Sequence, residues 1–326
     1  MNFNIIGAGT WGITFANLLT LNGHNVKVFH RNSLKTQSLI ENNKHPDIPG
    51  SKISKMIKYT DNFIELNSSD ITLLAIPSNS ISEFVSVNTL LDFKLVILSK
   101  GLDPKSGLLI SDLLTIKYNY NTNNIAILSG PNHAEEIIKN NPTASIIAST
   151  NKKLRDDLRN NFSNNFFRLY TTNDIIGVQI GGAVKNVISI ESGVCKGLNL
   201  GDNAQASLVT RGLHEIMQLS KLYNFNNNTI YGLSGLGDLI CTCYSLYSRN
   251  RRLGELLSKG TSLEESKNII GMISEGINTS KILNNIIEDN DLYMPICKEV
   301  YNIIYKKSKP RDSILSLMNR PLKDEK

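Results

Sequence analysis

The chain has 326 residues, 40% of them hydrophobic and 20% charged, with a formal net charge of +6. That length sits near the point where one hydrophobic core divides in two, so two domains are expected; no window reaches the roughly 18 uninterrupted apolar residues of a membrane span, and MNFNIIGAGTWG has no basic region followed by a long apolar run, so export is not expected. A cytoplasmic location without stable membrane insertion is expected, and Cys195, Cys241, Cys243 and Cys297 are too few for a disulfide framework and lack the pairing of a zinc site, so no metal is expected.

Taken in chain order, residues 2–6 form a short apolar run that ends in glycine, and Thr10 to Leu21 then shows helical spacing through Trp11, Phe15, Leu18, Leu19 and Leu21. Compact apolar runs at 26–29, 71–76, 95–98 and 125–128 predict further strands, each ended by Pro, Gly, Ser or a polar residue. Helix-like segments at 80–91 and 107–116 alternate with them, and short strands at 145–148 and 166–170 extend the series. Such alternation predicts an α/β domain with a Rossmann-type, doubly wound, mostly parallel sheet over residues 1–177. After about Asp174 long amphipathic stretches at 178–194, 204–223, 274–287 and 296–305 replace the strands, so residues 178–326 are expected to form an all-helical domain. The asparagine-rich pieces 119–124 and 224–228 read as polar loops, and the charged tail 320–326 as a frayed end.

The string GAGTWG (Gly7–Gly12) follows the first strand and opens a helix, which is the context a dinucleotide site requires. In that reading Gly7 permits the tight turn, Gly9 lets backbone approach a pyrophosphate, Gly12 lets helix and strand pack closely, and the helix N-terminus faces the anion. The second strand ends Phe29-His30-Arg31, with no carboxylate to hold ribose hydroxyls. Acceptance of NADP(H) is therefore expected alongside NAD(H), against the plainer reading of Arg31 as a surface residue.

Three further segments carry chemistry: SKGLDPKSG (99–107), LSGPNHAEE (128–136) and QIGGAVKN (179–186). The first two begin where strands end, which places Lys100, Gly130 and Asn132 at the carboxyl edge of a parallel sheet, where ligands bind. Lys185 sits among Ala183, Val184, Val187 and Ile188; it either extends its ammonium to solvent or is held in a cleft for acid–base work, and spacing does not choose. Downstream, Asp238 lies in a glycine-rich turn and SRNRR (Ser248–Arg252) is the one dense basic cluster. Arg249 and Asn250 offer donors suited to a phosphate, whereas a cluster without interleaved aromatic residues gives poor support for nucleic acid, which is not expected as a partner.

Taken together and in this order, GAGTWG, SKGLDPKSG, LSGPNHAEE, GVQIGGAVKNVISI, GDNAQASLVTRGL, GLGDLICTC, SRNRRLG and ISEGINT resemble the bacterial NAD(P)-dependent glycerol-3-phosphate dehydrogenases across nearly the whole chain. The 6-phosphogluconate and hydroxyisobutyrate dehydrogenases share the glycine loop and a helical second domain but not this series.

The resemblance implies an oxidoreductase that reduces dihydroxyacetone phosphate to sn-glycerol 3-phosphate for glycerophospholipid synthesis, and a homodimer. Lys185 matches the family's proton donor and acceptor, Asp238 the acid beside it, Thr242 the accompanying hydroxyl, and Lys100 a second lysine at substrate and cofactor. Ser248, Arg249 and Asn250 match the phosphate grip, and Gly130 and Asn132 substrate contacts. Thr10, Trp11, Arg31, Ala134, Arg249, Ile273 and Glu275 match cofactor contacts. Asn132 stands where Ser or Thr is usual and Thr10 where Ser is common, both keeping hydrogen-bonding ability. Arg251 and Arg252 add charge without a role. The alternatives, another phosphorylated or carboxylated hydroxy substrate or a non-catalytic nucleotide sensor, are disfavoured by the retention of Lys185, Asp238 and Ser248 to Asn250.

Overall fold

The structure is a computed structural model and describes all residues except 43, 69, 272, 273, 323 and 326. The chain divides into two compact units, Met1–Gln179 and Ile180–Lys326.

The first unit is built on eight strands: β1 (Asn2–Ile6), β2 (Asn25–Phe29), β3 (Lys58–Thr60), β4 (Ile71–Leu74), β5 (Lys94–Ile97), β6 (Ile125–Ser129), β7 (Thr143–Ala148) and β8 (Phe167–Thr172). They form one sheet in the order β3-β2-β1-β4-β5-β6-β7-β8. All neighbours pair parallel except β6 and β7, which are antiparallel. The chain leaves β1 toward β2 and β3 on one side and resumes at β4 on the other, so the glycine loop that follows β1 stands at the point where the winding reverses.

The unbroken apolar runs have a direct cause: both faces of the central strands are covered. Phe3, Ile5, Leu73, Val96, Ala126 and Leu128 join one buried cluster, while Ile6, Leu74, Leu95, Ile97, Ile125 and Ile127 join another. Asn4 is the buried polar exception within β1, and its Nδ2 donates to Thr72 Oγ1 at 3.1 Å and Asn67 O at 3.0 Å, so no amide hydrogen is stranded.

Helices α1 (Thr10–Leu21), α2 (Ser33–Asn42), α3 (Ser78–Val87), α4 (Ile110–Asp112), α5 (Ala134–Ile137) and α6 (Lys152–Phe162) accompany the sheet. The segment expected as one helix over 107–116 is the single turn α4 followed by a π-helical turn at Leu113–Lys117. α6, KKLRDDLRNNF, buries only Leu154, Leu158 and Phe162, spaced four apart, and is capped by Asn151, whose side chain accepts from Leu154 N at 3.1 Å.

α7 (Ile175–Gly197) contains the division between the units. The second unit continues with α8 (Gly201–Gln218), α9 (Asn227–Ile230), α10 (Asp238–Tyr244), α11 (Arg249–Ser258), α12 (Leu263–Ile270), α13 (Glu275–Asp289), α14 (Pro295–Tyr305) and α15 (Pro310–Met318). It contains no strand among the described residues. Glu215 of α8 satisfies the start of α14: its carboxylate accepts from Ile296 N at 2.7 Å and Cys297 N at 3.0 Å, two donors that a helix N-terminus leaves unpaired. Among the described residues no helix is long and apolar enough to cross a membrane, and no group of three or more His, Cys, Asp or Glu side chains is placed to hold a metal ion.

Candidate active site

In the first unit the glycine loop is shaped by sterics. Gly7 has φ +113°, a left-handed conformation that a side chain resists, and a Cβ there would meet Ala75 O at 2.6 Å. A Cβ on Gly12 would strike the carbonyl of Gly7, so helix and strand pack through that position. Gly9, by contrast, has nothing within 4 Å of where its Cβ would stand. The volume beside its backbone is open, which is what a pyrophosphate lying across the loop needs. Gly9 is the N-cap of α1 and supplies no capping side chain, and the first turn of α1 holds no acidic residue, so this helix start leaves its own N–H groups unanswered by its own side chains. The residues fit a dinucleotide. Thr10 and Trp11 are half-buried at this turn, and the Trp11 ring lies 5.4 Å from that of Phe15.

Arg31 is exposed just past the end of β2, and burial lowers the pKa of the adjacent His30, with Lys35 and Arg31 adding to the shift and a backbone hydrogen bond to Asn32 opposing it. Lys100 follows β5 and Gly130 follows β6, two neighbouring parallel strands, so both stand at the carboxyl edge of the sheet. Lys100 Nζ donates to Gly130 O at 2.8 Å and to Asn132 Oδ1 at 2.7 Å, and Asn132 Nδ2 donates to Ser145 Oγ at 3.3 Å. Gly130 has φ +125° and a Cβ there would meet Ser145 Cα at 3.0 Å, so the strand-end turn requires glycine. Ala134 is buried at the start of α5.

In the second unit Lys185 is 5% exposed on α7, so its ammonium does not extend to solvent. Its ammonium donates to Asp238 Oδ1 at 2.9 Å and Thr242 Oγ1 at 2.7 Å. Asp238 and Thr242 are four residues apart on α10 and therefore share a face, and the Thr242 hydroxyl lies 3.3 Å from Asp238 Oδ1. Close packing explains how they meet Lys185. Gly181 of α7 sits where a Cβ would meet Ser234 O at 2.8 Å, so α7 packs directly on the turn that leads into α10. Asp238 as the first residue of α10 is also favoured there by the helix dipole.

The basic cluster starts α11. Ser248 is the N-cap: its hydroxyl oxygen accepts from Arg251 N at 3.2 Å, while Arg249 is exposed in the first turn. Asn250 is buried and well occupied, donating through Nδ2 to Asn186 Oδ1 at 3.0 Å and accepting from Gly276 N at 3.2 Å. It ties the residue after Lys185 to the start of α13, where Glu275 is half-buried. Arg251 is structural: its Nε donates to Ser245 O at 2.9 Å and its Nη1 pairs with Glu255 at 2.6 Å, whereas Arg252 is exposed. α11 lies against α7 through glycines, since a Cβ on Gly193 would strike Arg251 O and one on Gly254 would strike Ile190 O. Ile273 lies outside the described residues.

Sequence reasoning does not single out Asn186, whose only signal is adjacency to Lys185, nor the segment around His45 and Asp47, which has no periodicity to read. His45 is buried, with Nε2 3.1 Å from both Thr10 O and Thr14 Oγ1, and burial lowers its pKa against the raising effects of that bond and of Asp47.

Residues 2–155 match the model of the NAD-dependent glycerol-3-phosphate dehydrogenase N-terminus and residues 174–315 that of the C-terminus. A Thermoanaerobacter glycerol-3-phosphate dehydrogenase [NAD(P)+] is 37% identical over 332 residues, covering 100% of this chain and 99% of its own. The chain belongs to the NAD-dependent glycerol-3-phosphate dehydrogenase family. A Thermotoga member is 38% identical over 331 residues, with 100% of this chain and 99% of that protein covered. Among solved structures, glycerol-3-phosphate dehydrogenase from Coxiella burnetii superposes with a TM-score of 0.91 at 29% identity, covering 98% of this chain and 99% of that one. The family's cofactor is NAD(P)H.

Proposed function

We propose that this chain interconverts dihydroxyacetone phosphate and sn-glycerol 3-phosphate with NADP(H) or NAD(H), working mainly as a reductase that supplies glycerophospholipid synthesis in the cytoplasm. The observation that carries the reading is the buried Lys185 ammonium held by Asp238 and Thr242. When bound, the nicotinamide supplies hydride to the substrate's carbonyl carbon or takes it back. Lys185 Nζ delivers the proton to the carbonyl oxygen in reduction and accepts it in oxidation. Asp238 keeps the ammonium paired, and Thr242 fixes its direction. Lys100 adds a fixed positive charge for developing oxyanion character.

The start of α11 is suited to the substrate's phosphate. Arginine in the first turn of a helix opposes the dipole, an arrangement that an anion at that turn relieves. Arg249 and the Ser248 hydroxyl grip the phosphate, while Asn250 contributes chiefly by holding Asn186 and α13 in place. Gly130 and Asn132 contact substrate; Gly7, Gly9, Thr10, Trp11, Gly12, Arg31, Ala134 and Glu275 contact cofactor. The protein is a homodimer, which sedimentation at micromolar concentration tests.

The decisive experiment follows NADPH and NADH absorbance with dihydroxyacetone phosphate, comparing wild type with Lys185→Ala. Substrate-dependent oxidation by wild type, abolished in a variant that still binds NADPH, is the expected result. Cofactor binding without any dependence on dihydroxyacetone phosphate would overturn the substrate assignment.

A further inference from the structure

The chain between α2 and β3 is fastened lengthwise to α1. Thr10, Thr14 and Asn17 are spaced four and then three residues apart and so share one face of that helix. Each is engaged by this segment. Thr10 Oγ1 donates to Asp47 Oδ2 at 2.8 Å, Thr14 Oγ1 pairs with His45 Nε2 at 3.1 Å, and Asn17 Oδ1 accepts from Ser54 N at 2.8 Å. His45 is the rivet. Its Nδ1 accepts from Asp47 N at 3.2 Å and Ile48 N at 3.1 Å, so the ring proton is on Nε2, directed at Thr10 O. Burial of Ile48 and Ile53 completes the attachment, and Ile53 joins the core cluster that contains Ile13.

This strap delivers a carboxylate to a particular place. Thr10 is the first residue of α1 and lies inside the glycine loop, whose helix start has no acidic residue of its own. The Asp47 side chain is exposed there and takes the Thr10 hydroxyl hydrogen. A helix N-terminus favours an anion, and in this protein the anion present at that turn is Asp47. A dinucleotide brings its pyrophosphate to the same turn, and one hydroxyl proton cannot serve both.

We propose that Asp47 is a built-in competitor for the cofactor's phosphate: it holds the Thr10 hydroxyl in the unliganded protein and is displaced on binding, so that it weakens dinucleotide affinity and speeds release. The inference rests on the dinucleotide reading of the glycine loop and adds to it a residue that sets affinity. The strap remains fastened through His45 and Ser54 when the Asp47 side chain turns away, because neither anchor uses the carboxylate. The opposition is electrostatic, so it applies to NADPH and NADH alike and fades as salt rises.

The chain's single tryptophan is Trp11, in the glycine loop, so quenching of its fluorescence reports cofactor binding without any turnover. Titrations with NADPH and with NADH compare wild type, Asp47→Asn, Asp47→Ala, Thr10→Val and the Thr10→Val/Asp47→Asn pair, with equilibrium dialysis as a second measure. Both Asp47 variants are expected to bind about tenfold more tightly, equivalent to about 1.4 kcal/mol, mainly through slower dissociation in stopped flow. In the Thr10→Val background the gain from Asp47→Asn falls below about threefold, because no hydroxyl then holds the carboxylate at the turn. Unchanged or weaker binding by Asp47→Asn beside a wild type that binds normally overturns the competitor role alone, and weaker binding would make Asp47 a partner of a cofactor hydroxyl. A wild type that binds neither dinucleotide by either measure removes the cofactor reading, and this inference with it.

Discussion

Breaking the Lys185–Asp238 pair from one side and from both gives the sharpest test of the second unit. Side-chain exposures of 7% and 3% put the pair out of reach of solvent screening. Asp238→Asn leaves an ammonium buried beside neutral groups, and Lys185→Met leaves a carboxylate buried without its cation. Each is expected to cost about 3–5 kcal/mol, because the surviving charge keeps its desolvation penalty and loses its partner. The double variant Lys185→Met/Asp238→Val removes both penalties and fills the space with apolar atoms. It is expected to recover most of the loss and cost only about 1–2 kcal/mol, which is a coupling of about 4–8 kcal/mol between the two positions. Urea unfolding of the full chain, read by circular dichroism and by thiol labelling, supplies the free energies. Turnover follows a different pattern: Lys185→Met and the double variant both lose about 10²–10⁴ in kcat, since restored stability does not restore the proton. Single substitutions costing under about 1 kcal/mol, or a double variant as unstable as the sum, would refute the reasoning.

Gly9→Ala is expected to leave the melting temperature within about 2 °C of wild type, since its Cβ meets nothing, yet to weaken NADPH binding at least about tenfold in a fluorescence titration. Gly254→Ala drives a Cβ onto the carbonyl of Ile190, so α11 must shift; stability falls by about 1–3 kcal/mol in urea unfolding, and KM for dihydroxyacetone phosphate rises about tenfold or more in steady-state assays. Glu191 is buried on α7 with neither carboxylate oxygen hydrogen-bonded among the described residues, and burial, with Glu299 and Glu215 nearby, raises its pKa from 4.5 to about 8. The folded chain therefore keeps a proton that the unfolded chain has released, and stability falls as pH rises through this window and levels off above about 8. Glu191→Gln is expected to flatten that decline in melting curves recorded from pH 5 to pH 9. Glu215, raised by burial to about 7 despite its backbone bonds to Ile296 and Cys297, contributes a remaining slope of the same sign.

What was legible in the sequence was whatever is encoded locally. The run Phe3-Asn4-Ile5-Ile6 leading into GAGTWG carries strand, turn and helix in consecutive residues, and the doubly covered strands β4, β5 and β6 announce themselves by lacking polar alternation. Lys185 was recognisable as a candidate but its state was not, because the partners that decide it arrive 53 and 57 residues later. β3 has three residues and α10 only seven, too short for a periodic signal. The reversed direction of β7 against β6 is a property of pairing, which no strand states alone. Asp47 was invisible for a related reason: its meaning comes from Thr10, 37 residues away, and from a histidine rivet whose partners are backbone atoms.

The thiols of the second unit have a practical consequence. Cys195, Cys243 and Cys297 are all buried. Burial pushes the first two up to about 12, with Glu191 adding to the shift at Cys195 and hydrogen bonding from Ser192 opposing it at Cys243, and it pushes Cys297 up with Glu215 reinforcing it. Thiolates are the nucleophiles that attack alkylating reagents, so these three sulfurs stay silent while the helices around them are closed, and Cys241, partly exposed, is the one open to reagent at the surface. Any modification of the other three counts an opening event, residue by residue, from α7, α10 and α14. The protein thus carries its own set of breathing gauges, with no probe to be introduced, and a substrate that steadies these helices will be heard as a slowing of their ticking.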